Sequence, residues 1–191
     1  MKTTPAVSVI MSVYNGAAYL KEAIESVLNQ SFTDWELIVI NDCSTDGTDA
    51  ILEAYAKRDS RIKVHRNETN LRLPSSLNRA AALAKGRLVA RMDADDISHP
   101  KRFEEEISFL KDHPEYMWCG TNCKLVDDRG IWGEGVRPEE PGTDDYLKYS
   151  PYIHPTVMYR ASLFKKVAGY DEGKKTARCE DYELFMRLFG L

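Results

Sequence analysis

The first half of the chain repeats one pattern three times: a short apolar segment, a polar loop, and a segment with hydrophobic residues on one helical face. The apolar segments at residues 6–13, 35–40 and 61–65 predict buried strands. The segments behind them have hydrophobic residues three and four positions apart, which predicts amphipathic helices, one of them over residues 48–57. Because successive strand–helix units place their strands side by side, the pattern predicts a parallel sheet with right-handed crossovers.

A fourth apolar segment, residues 87–92, runs directly into a short acidic run, Asp93-Ala94-Asp95-Asp96. A helix predicted after the loop at residues 66–74 precedes this segment and completes a third crossover. In open parallel sheets, ligands bind beyond the carboxyl ends of the strands. We therefore expect the loops at Tyr14, Asp42 and Asp93 to share one ligand-binding edge.

The second half of the chain is less regular. A helix is predicted after Pro100, and strand-like segments occur at residues 117–126 and 155–159. The Gly-, Pro- and acid-rich stretch at residues 130–145 is predicted to be a mobile surface loop, and a last helix is predicted over residues 179–188. These patterns predict an α/β protein with a Rossmann-like, mostly parallel central sheet flanked by helices and a mixed, more irregular C-terminal half.

Composition and charge narrow the class of protein. The chain has 191 residues, of which 43% are hydrophobic and 29% charged, values typical of one soluble globular domain. A net charge of -4 provides no positive field for nucleic acid, so we expect no nucleic-acid partner. No apolar run approaches the roughly 20 residues of a membrane helix, and we expect a cytoplasmic protein. The four cysteines match neither a disulfide framework nor a zinc site.

The acidic run is the strongest chemical signal in the sequence. Carboxylates crowded at the end of a buried strand repel one another unless positive charge lies among them. Mg²⁺ and Mn²⁺ prefer oxygen ligands and usually bind through one or two carboxylates while a substrate diphosphate completes the coordination. The run therefore predicts a divalent cation and a phosphate-bearing ligand. A solvated acidic turn or a helix N-cap would use the same residues.

Three further acidic residues are candidates. Asp42 ends the second predicted strand, where its carboxylate can accept a hydrogen bond from a nucleoside, although aspartate is also common in turns. Glu180 and Asp181 begin the last predicted helix, where a carboxylate can act as a general base toward an attacking hydroxyl. The alternative is that both acids stabilise the positive end of the helix dipole.

One histidine and one arginine complete the candidates. His154 can ligate a metal or bind a phosphate, and Arg72 can contact a diphosphate. The alternatives are a histidine whose hydrogen bonds are satisfied within the fold and a solvated arginine. Nucleophilic catalysis by cysteine is not supported, because no cysteine lies in a recognisable nucleophile signature.

The pair Asp93-x-Asp95 after an apolar strand also resembles the nucleophile motif of haloacid-dehalogenase-like phosphatases. In that class the first aspartate forms an aspartyl phosphate, and the motif normally begins the chain. Here the motif lies mid-chain, and no later lysine and acidic pair stands at the expected intervals. Trapping with beryllofluoride would separate this interpretation from a transferase.

Taken in order, motifs along the whole chain resemble the inverting nucleotide-sugar glycosyltransferases of family 2, which have the GT-A fold. The likeness runs from about Pro5 to the last residue, and the combination is far more specific than any one element. Its elements are Val9-Ile10-Met11-Ser12-Val13-Tyr14-Asn15-Gly16, Glu36-Leu37-Ile38-Val39-Ile40-Asn41-Asp42, Ser44-Thr45-Asp46-Gly47-Thr48, Asp93-Ala94-Asp95-Asp96, His154-Pro155-Thr156 and Glu180-Asp181-Tyr182-Glu183-Leu184.

The resemblance implies a donor-binding role for four residues at the ends of the first two strands. Ser12, Tyr14 and Asn15 would cradle the nucleotide, and Asp42 would bind the base. Arg72 remains a candidate for contact with the diphosphate on its residue type alone. The resemblance also implies that residues 1–98 form the nucleotide-binding half of a single domain over residues 1–191, and that residues 99–191 form the acceptor half.

The resemblance also implies roles at the acidic run. Asp93 would hold the ribose or assist the metal, and Ala94 would lie against the donor beside it. Asp95 would be the principal ligand of Mn²⁺ or Mg²⁺ and would also contact the donor. His154 is a further candidate metal ligand, and Asp96 is a secondary candidate.

The implied activity is transfer of a sugar from a nucleoside-diphosphate sugar to an acceptor hydroxyl with inversion. Asp181 would be the general base, with Glu180 as a secondary candidate. The donor would be a UDP-sugar by family frequency, and the acceptor a saccharide or lipid-linked saccharide. The setting would be cell-surface polysaccharide or lipopolysaccharide assembly at the inner face of the membrane, with peripheral membrane contact.

The alternative within the same family is a truncated, non-catalytic nucleotide-sugar-binding domain. Relatives usually continue beyond the position of Leu191, so we expect either a fragment of a longer enzyme with a truncated acceptor half or an enzyme whose acceptor side is minimal. The Gln/Arg-x-x-Arg-Trp signature of processive members is missing. Comparing donor hydrolysis with sugar transfer would discriminate between the two readings.

Overall fold

The computed structural model describes residues 4–173, 176 and 178–190. The strands, in chain order, are β1 (Val7–Val13), β2 (Trp35–Asn41), β3 (Ile62–Arg66), β4 (Leu88–Asp93), β5 (Trp118–Cys119), β6 (Cys123–Asp127), β7 (Gly130–Gly135) and β8 (Met158–Arg160). The helices are α1 (Leu20–Leu28), α2 (Thr48–Arg58), α3 (Arg72–Leu83), α4 (Arg102–Asp112), α5 (Thr143–Lys148), α6 (Ala161–Lys166) and α7 (Glu180–Phe189), and a 3₁₀ turn spans His154–Thr156.

Six strands form the central sheet in the order β3-β2-β1-β4-β8-β5. β1 pairs in parallel with β2 and β4, and β2 pairs in parallel with β3. β8 is antiparallel to its neighbours β4 and β5, so strands from both halves of the chain share this sheet. β6 and β7 form a separate antiparallel hairpin. The mostly parallel α/β architecture expected from the sequence is confirmed.

Helices cover both faces of the sheet. On one face α1, α2 and α4 pack through residues such as Ile24, Leu52 and Phe103. On the other face α3, α6 and α7 contribute residues such as Leu77 and Phe185. Strands that are covered on both faces read as continuous apolar runs rather than alternating ones, and every residue of β2 is buried.

The order of the strands reverses beside β1. The chain builds β2 and β3 outward on one side of β1 and then crosses back to place β4 on the other side. At the carboxyl end of this pair, Ser12 of β1 lies opposite Asp93 of β4. In open α/β sheets, the crevice at such a switch point is where ligands bind. The topology therefore brings two candidate residues together at the expected edge.

Three expectations for the second half are wrong. The segment 117–126 is two strands in different sheets, β5 and β6, because the chain leaves the central sheet at Gly120. The segment 155–159 begins as a 3₁₀ turn, since Pro155 has no N–H to donate to a neighbouring strand, and only its end joins β8. The stretch 130–145 is not one loop: it holds β7 and the start of α5, whose first turn is tied by the Gly142 N–H donating to Asp145 at 3.0 Å.

Smaller differences concern the helices. α3 begins at Arg72 rather than after Pro74, because a proline is tolerated in the first turn of a helix. α6 was not predicted, since its six residues are too few to show a helical period. Within the described residues, no helix has the length and apolar character needed to cross a bilayer.

Candidate active site

The loops that follow β1 and β2 are bonded to each other. The Asn15 N–H donates to the Ser44 hydroxyl at 3.0 Å, and the Thr45 N–H donates to Asn15 Oδ1 at 2.8 Å. Asn15 and Cys43 have φ values of 52° and 65°, in the left-handed region that residues other than glycine seldom adopt. Such strain persists only where the surroundings hold it, so these contacts define a fixed backbone beside the exposed Tyr14 side chain.

Asp42 lies at the end of β2 and is only 2% exposed. Its carboxylate accepts hydrogen bonds from Asn67 Nδ2 at 2.7 Å and from the N–H groups of Leu71 and Arg72, both at 2.8 Å. These bonds hold the start of α3 against β2, with Arg72 at a φ of 70°. The turn-forming interpretation of Asp42 is thus supported, and its contact with a base stays a prediction. The Arg72 side chain is exposed and makes no hydrogen bond to a described residue.

The acidic run is partly neutralised by the protein itself. Arg91, two residues before the run on β4, is 1% exposed and forms an ion pair with Asp93. The acidic run in the sequence predicts positive charge from a divalent cation, but the Arg91 guanidinium supplies part of that charge. Burial, and then the carboxylates of Asp93 and Asp95, raise the pKa of Asp96, which indicates that negative charge still accumulates at this edge.

The remaining carboxylates suit a hard divalent cation. Asp95 is exposed and has no ion pair or hydrogen-bond partner among the described residues. Ala94, between the two aspartates, is buried and fixes the turn against the core. In the described parts of the chain, no three His, Cys, Asp or Glu side chains are arranged around one point. The donor set fits Mg²⁺ or Mn²⁺ held by one or two carboxylates, with the other positions left to diphosphate and water.

A segment anchored by α1 follows the acidic run. The Ser98 N–H donates to the Ser26 hydroxyl at 3.0 Å, and Gln30 Nε2 donates to the His99 carbonyl at 2.7 Å. Gln30 Oε1 accepts from the Phe103 N–H at 3.1 Å, at the start of α4. The buried side chains of Ser26 and Gln30 therefore fix the segment that directly follows the acidic run.

Tyr170 links the acidic end of β4 to the start of α7. Its hydroxyl is buried and lies 2.7 Å from His154 Nε2. Burial raises the pKa of Tyr170 far above its usual value; the positive charge of Arg91 opposes this increase, and the carboxylates of Asp181, Asp93 and Glu180 add to it. The structure thus brings His154 into contact with Tyr170, a tyrosine that also senses the charge of the acidic residues at both segments.

His154 is an uncharged ring in this environment. Burial, and secondarily the positive charge of Arg91, hold the pKa of His154 well below its usual value. A neutral imidazole does not attract phosphate through its charge, and its Nε2 is already engaged with Tyr170. Metal ligation by His154 stays a prediction that would require its other ring nitrogen or a displaced tyrosine.

Sequence reasoning missed two residues of this site. Arg91 had a signal, because an arginine inside an apolar strand segment must find a charged partner when that strand is buried. Tyr170 had none, because its position depends on how the segment after α6 returns to the sheet. Neither residue lies in a motif that composition or spacing singles out.

A large concave surface lies elsewhere, along the open edge of the sheet at β5. It is lined by Phe109, Tyr116, Trp118, Arg137 and Tyr152, among others. A small apolar cavity lies behind His154 and Tyr170 and is closed by side chains of α6 and α7. The acidic run lines neither of these two surfaces.

Residues 8–171 match the family model described as Glycosyl transferase family 2. The chain belongs to glycosyl transferase family 2. It is 43% identical over 190 residues to EpsE of Bacillus subtilis, covering 99% of this chain and 68% of EpsE. It is 32% identical over 187 residues to the O-antigen biosynthesis glycosyltransferase WbnJ of Escherichia coli, covering 95% of this chain and 71% of WbnJ.

A solved structure of a similar protein has the same fold. S. aureus TarS in complex with UDP-GlcNAc superposes with a TM-score of 0.74 at 26% identity, over 95% of this chain and 52% of the TarS chain. The predicted family, GT-A fold and glycosyltransferase class are confirmed. The haloacid-dehalogenase interpretation is wrong. Because the chain spans 52% of TarS and 64% and 55% of two further relatives, substrates and partners of the whole protein are proposals.

Proposed function

We propose that this family 2 chain transfers a sugar from a nucleoside-diphosphate sugar to an acceptor hydroxyl, with inversion at the anomeric carbon. The observation that carries the proposal is the proximity of two acidic segments from different halves of the chain. The 3₁₀ turn at His154 joins the first, at the end of β4, to the second, at the start of α7: the Arg91 N–H of β4 donates to the Val157 carbonyl just after this turn at 2.9 Å, and the ring of His154 lies 6.3 Å from that of Phe185 on α7. A donor at the first and a base at the second would face one another across a short distance.

The donor would lie over the carboxyl ends of β1, β2 and β4. Ser12, Tyr14 and Asn15 would contact the nucleotide, and Asp42 the base, through the part of its carboxylate that the loop bonds leave free. The exposed Arg72 side chain, at the same edge, would reach the diphosphate. TarS, a relative with the same fold, binds UDP-GlcNAc. A UDP-sugar is therefore the first donor to test.

A divalent cation would be held chiefly by Asp95, with Asp96 as a secondary candidate. When bound, Mn²⁺ or Mg²⁺ offsets the negative charge that develops on the departing nucleoside diphosphate. The exposed Asp95 carboxylate suits this role because it has no competing ion pair among the described residues. Asp93, already paired with Arg91, suits hydrogen bonding to the ribose.

Asp181 would be the general base, with Glu180 as a secondary candidate. The acceptor O–H gives its proton to the Asp181 carboxylate while its oxygen bonds to the anomeric carbon. The bond from that carbon to the diphosphate oxygen breaks on the opposite face, so the configuration inverts. Asp181 lies in the first turn of α7, at the end of the helix where the backbone dipole favours a negatively charged side chain.

We place the reaction in the assembly of cell-surface polysaccharide. WbnJ, 32% identical to this chain, is named as an O-antigen biosynthesis enzyme. The acceptor would be a saccharide or a lipid-linked saccharide. A lipid-linked acceptor would require peripheral contact with the inner face of the membrane.

The test is donor binding and turnover with a panel of UDP-, GDP- and dTDP-sugars in the presence of Mn²⁺. Asp181→Asn is expected to lower kcat by about 10²- to 10⁴-fold and to leave the Kd of the donor unchanged, because only proton removal is lost. Glu183→Gln, on the same helix but paired with Arg187, is the matched control and should retain turnover.

Two outcomes would contradict the proposal. Unchanged kcat in Asp181→Asn would remove the base assignment. Donor binding by the unaltered chain, with neither hydrolysis nor transfer to any glycoside in an acceptor panel, would indicate a non-catalytic nucleotide-sugar-binding domain instead.

A further inference from the structure

Arg91 is buried among apolar neighbours at the centre of the sheet. It lies on β4 opposite Ile10 of β1, and its side chain is only 2% exposed. Its backbone N–H donates to the Val157 carbonyl at 2.9 Å, which joins β4 to the segment after the 3₁₀ turn. A guanidinium in such a place costs free energy unless a carboxylate compensates its charge.

Asp93 is the ion-pair partner of Arg91 among the described residues. Neither Arg91 Nε nor Nη1, the nitrogen that faces Asp93, forms a hydrogen bond within the described residues, so charge attraction to Asp93 is the polar contact that holds the guanidinium. The Asp93 side chain is 32% exposed and therefore reaches the edge where the donor is expected. One end of this pair is fixed in the core and the other faces the ligand crevice.

The charge of Arg91 also lowers the pKa of Asp96, but burial and the carboxylates of Asp93 and Asp95 raise that pKa more. The other groups on which Arg91 acts are the buried Tyr159 and Tyr170 and the half-buried His154, and none of them carries a negative charge that neutralises it. The guanidinium is therefore a fixed positive charge beneath the carboxyl ends of β1, β2 and β4, which we call the donor edge.

We propose that Arg91 is a positioning residue for donor binding: it holds the Asp93 carboxylate in place and compensates its charge, so that Asp93 accepts hydrogen bonds from the donor while the cation is left chiefly to Asp95. The inference rests on the proposed function. It deepens that function by naming the residue that separates the tasks of these two aspartates.

A double-mutant cycle tests the inference. The variants are Arg91→Met, which keeps the length and apolar character of the side chain, Asp93→Asn, and the two combined. Arg91→Met is expected to raise the Kd and KM of the nucleotide sugar by about 10- to 100-fold, with kcat reduced much less, since a supporting partner of a ligand-binding group is lost. The double variant should bind no worse than Asp93→Asn alone, because Arg91 acts through Asp93.

A conservative variant and a metal titration sharpen the test. Arg91→Lys keeps the charge but loses the planar fork, and it should recover part of the donor affinity lost in Arg91→Met. Arg91→Met frees Asp93 from its partner, so the Mn²⁺ concentration needed for half-maximal donor binding should shift by at least about threefold, whereas a purely structural role would leave it unchanged.

Arg61→Met is the matched control. Arg61 lies at the opposite edge of the sheet, pairs with Asp59 and stacks on Trp35 at 3.7 Å, so its loss should lower the melting temperature and leave donor KM unchanged. Unchanged donor Kd in Arg91→Met, or additive losses in the double variant, would overturn the inference. If the unaltered chain binds no nucleotide sugar, the proposed function itself fails, and that result is seen before any variant is made.

Discussion

The loops at the carboxyl ends of β1 and β2 and the β6–β7 hairpin are both surface segments, but they are held in different ways. Side chains and N–H groups of Asn15, Ser44 and Thr45 bond the two loops to each other, and Asp42 bonds a third segment to them. Among the described residues, the hairpin pairs its two strands only with each other, and it leaves Ile131 and Trp132 more than 60% exposed. The donor edge is thus built as part of the central sheet, whereas the strand pairing of the hairpin is local.

The largest effect should come from removing the free carboxylate at the donor edge. Asp95→Asn is expected to lower kcat/KM by about 10²-fold or more and to abolish the Mn²⁺ dependence of donor binding, because the amide carries no charge for the cation. Isothermal titration with a UDP-sugar, with and without Mn²⁺, measures this. Asp128→Asn, in the turn of the hairpin, is the matched control and should behave as the unaltered chain; Mn²⁺-dependent binding that survives in Asp95→Asn would contradict the metal assignment.

The next effect concerns stability at the same edge. Asp42→Ala leaves three N–H donors without their buried acceptor and should lower the free energy of unfolding by about 3 kcal/mol. Urea unfolding measures the change. Asp127→Ala removes one exposed carboxylate that accepts from the Arg129 N–H at 2.8 Å, and it should cost about 0.5 kcal/mol or less. Equal losses in the two variants would mean that the donor edge is no more firmly held than the hairpin.

The sequence predicted the donor edge better than the second half for a physical reason. β1, β2 and β4 are buried on both faces, so each appears in the sequence as an apolar run long enough to recognise. Asp42 and Asp93 stand where two of these runs end, so their positions at the edge of the sheet could be predicted. The split between β5 and β6 depends on a departure from the sheet at Gly120 that local pattern does not encode. Arg91 and Asp93 lie two residues apart on one strand, so their spacing allows the pair, but the burial that makes it necessary comes from segments packed over β4. The place of Tyr170 depends on a contact with His154, which residue spacing cannot supply.

A smaller effect should appear as a pH dependence in the second half. Burial raises the pKa of Glu106 on α4 to about 7. The nearby Arg102 guanidinium acts in the opposite direction but offsets only part of this increase. Between about pH 4.5 and 7 the folded protein therefore keeps a proton that the unfolded chain releases, and the free energy of unfolding falls as pH rises through this interval. The Glu106→Gln variant has no carboxyl group to titrate here and lacks this pH-dependent loss of stability. Its free energy of unfolding, relative to that of the unaltered chain, should therefore increase from pH 4.5 to 7. Glu105→Gln, its exposed neighbour, is the control, and a constant difference across the interval would contradict the assignment.

The smallest effect is expected at the hairpin. Trp132 is 65% exposed, and β7 bonds only to β6, so Trp132→Ser removes little buried surface and should change the free energy of unfolding by about 0.5 kcal/mol or less. The Kd of a UDP-sugar should also stay the same, because the hairpin shares no hydrogen bond with the donor-edge loops among the described residues. Activity toward an acceptor is the more informative readout, since a hairpin that contacts the acceptor would raise its KM while donor binding is preserved. A weakened donor affinity in Trp132→Ser would show that the two regions are coupled, and the contrast between a sheet-built donor edge and locally held segments would then no longer hold.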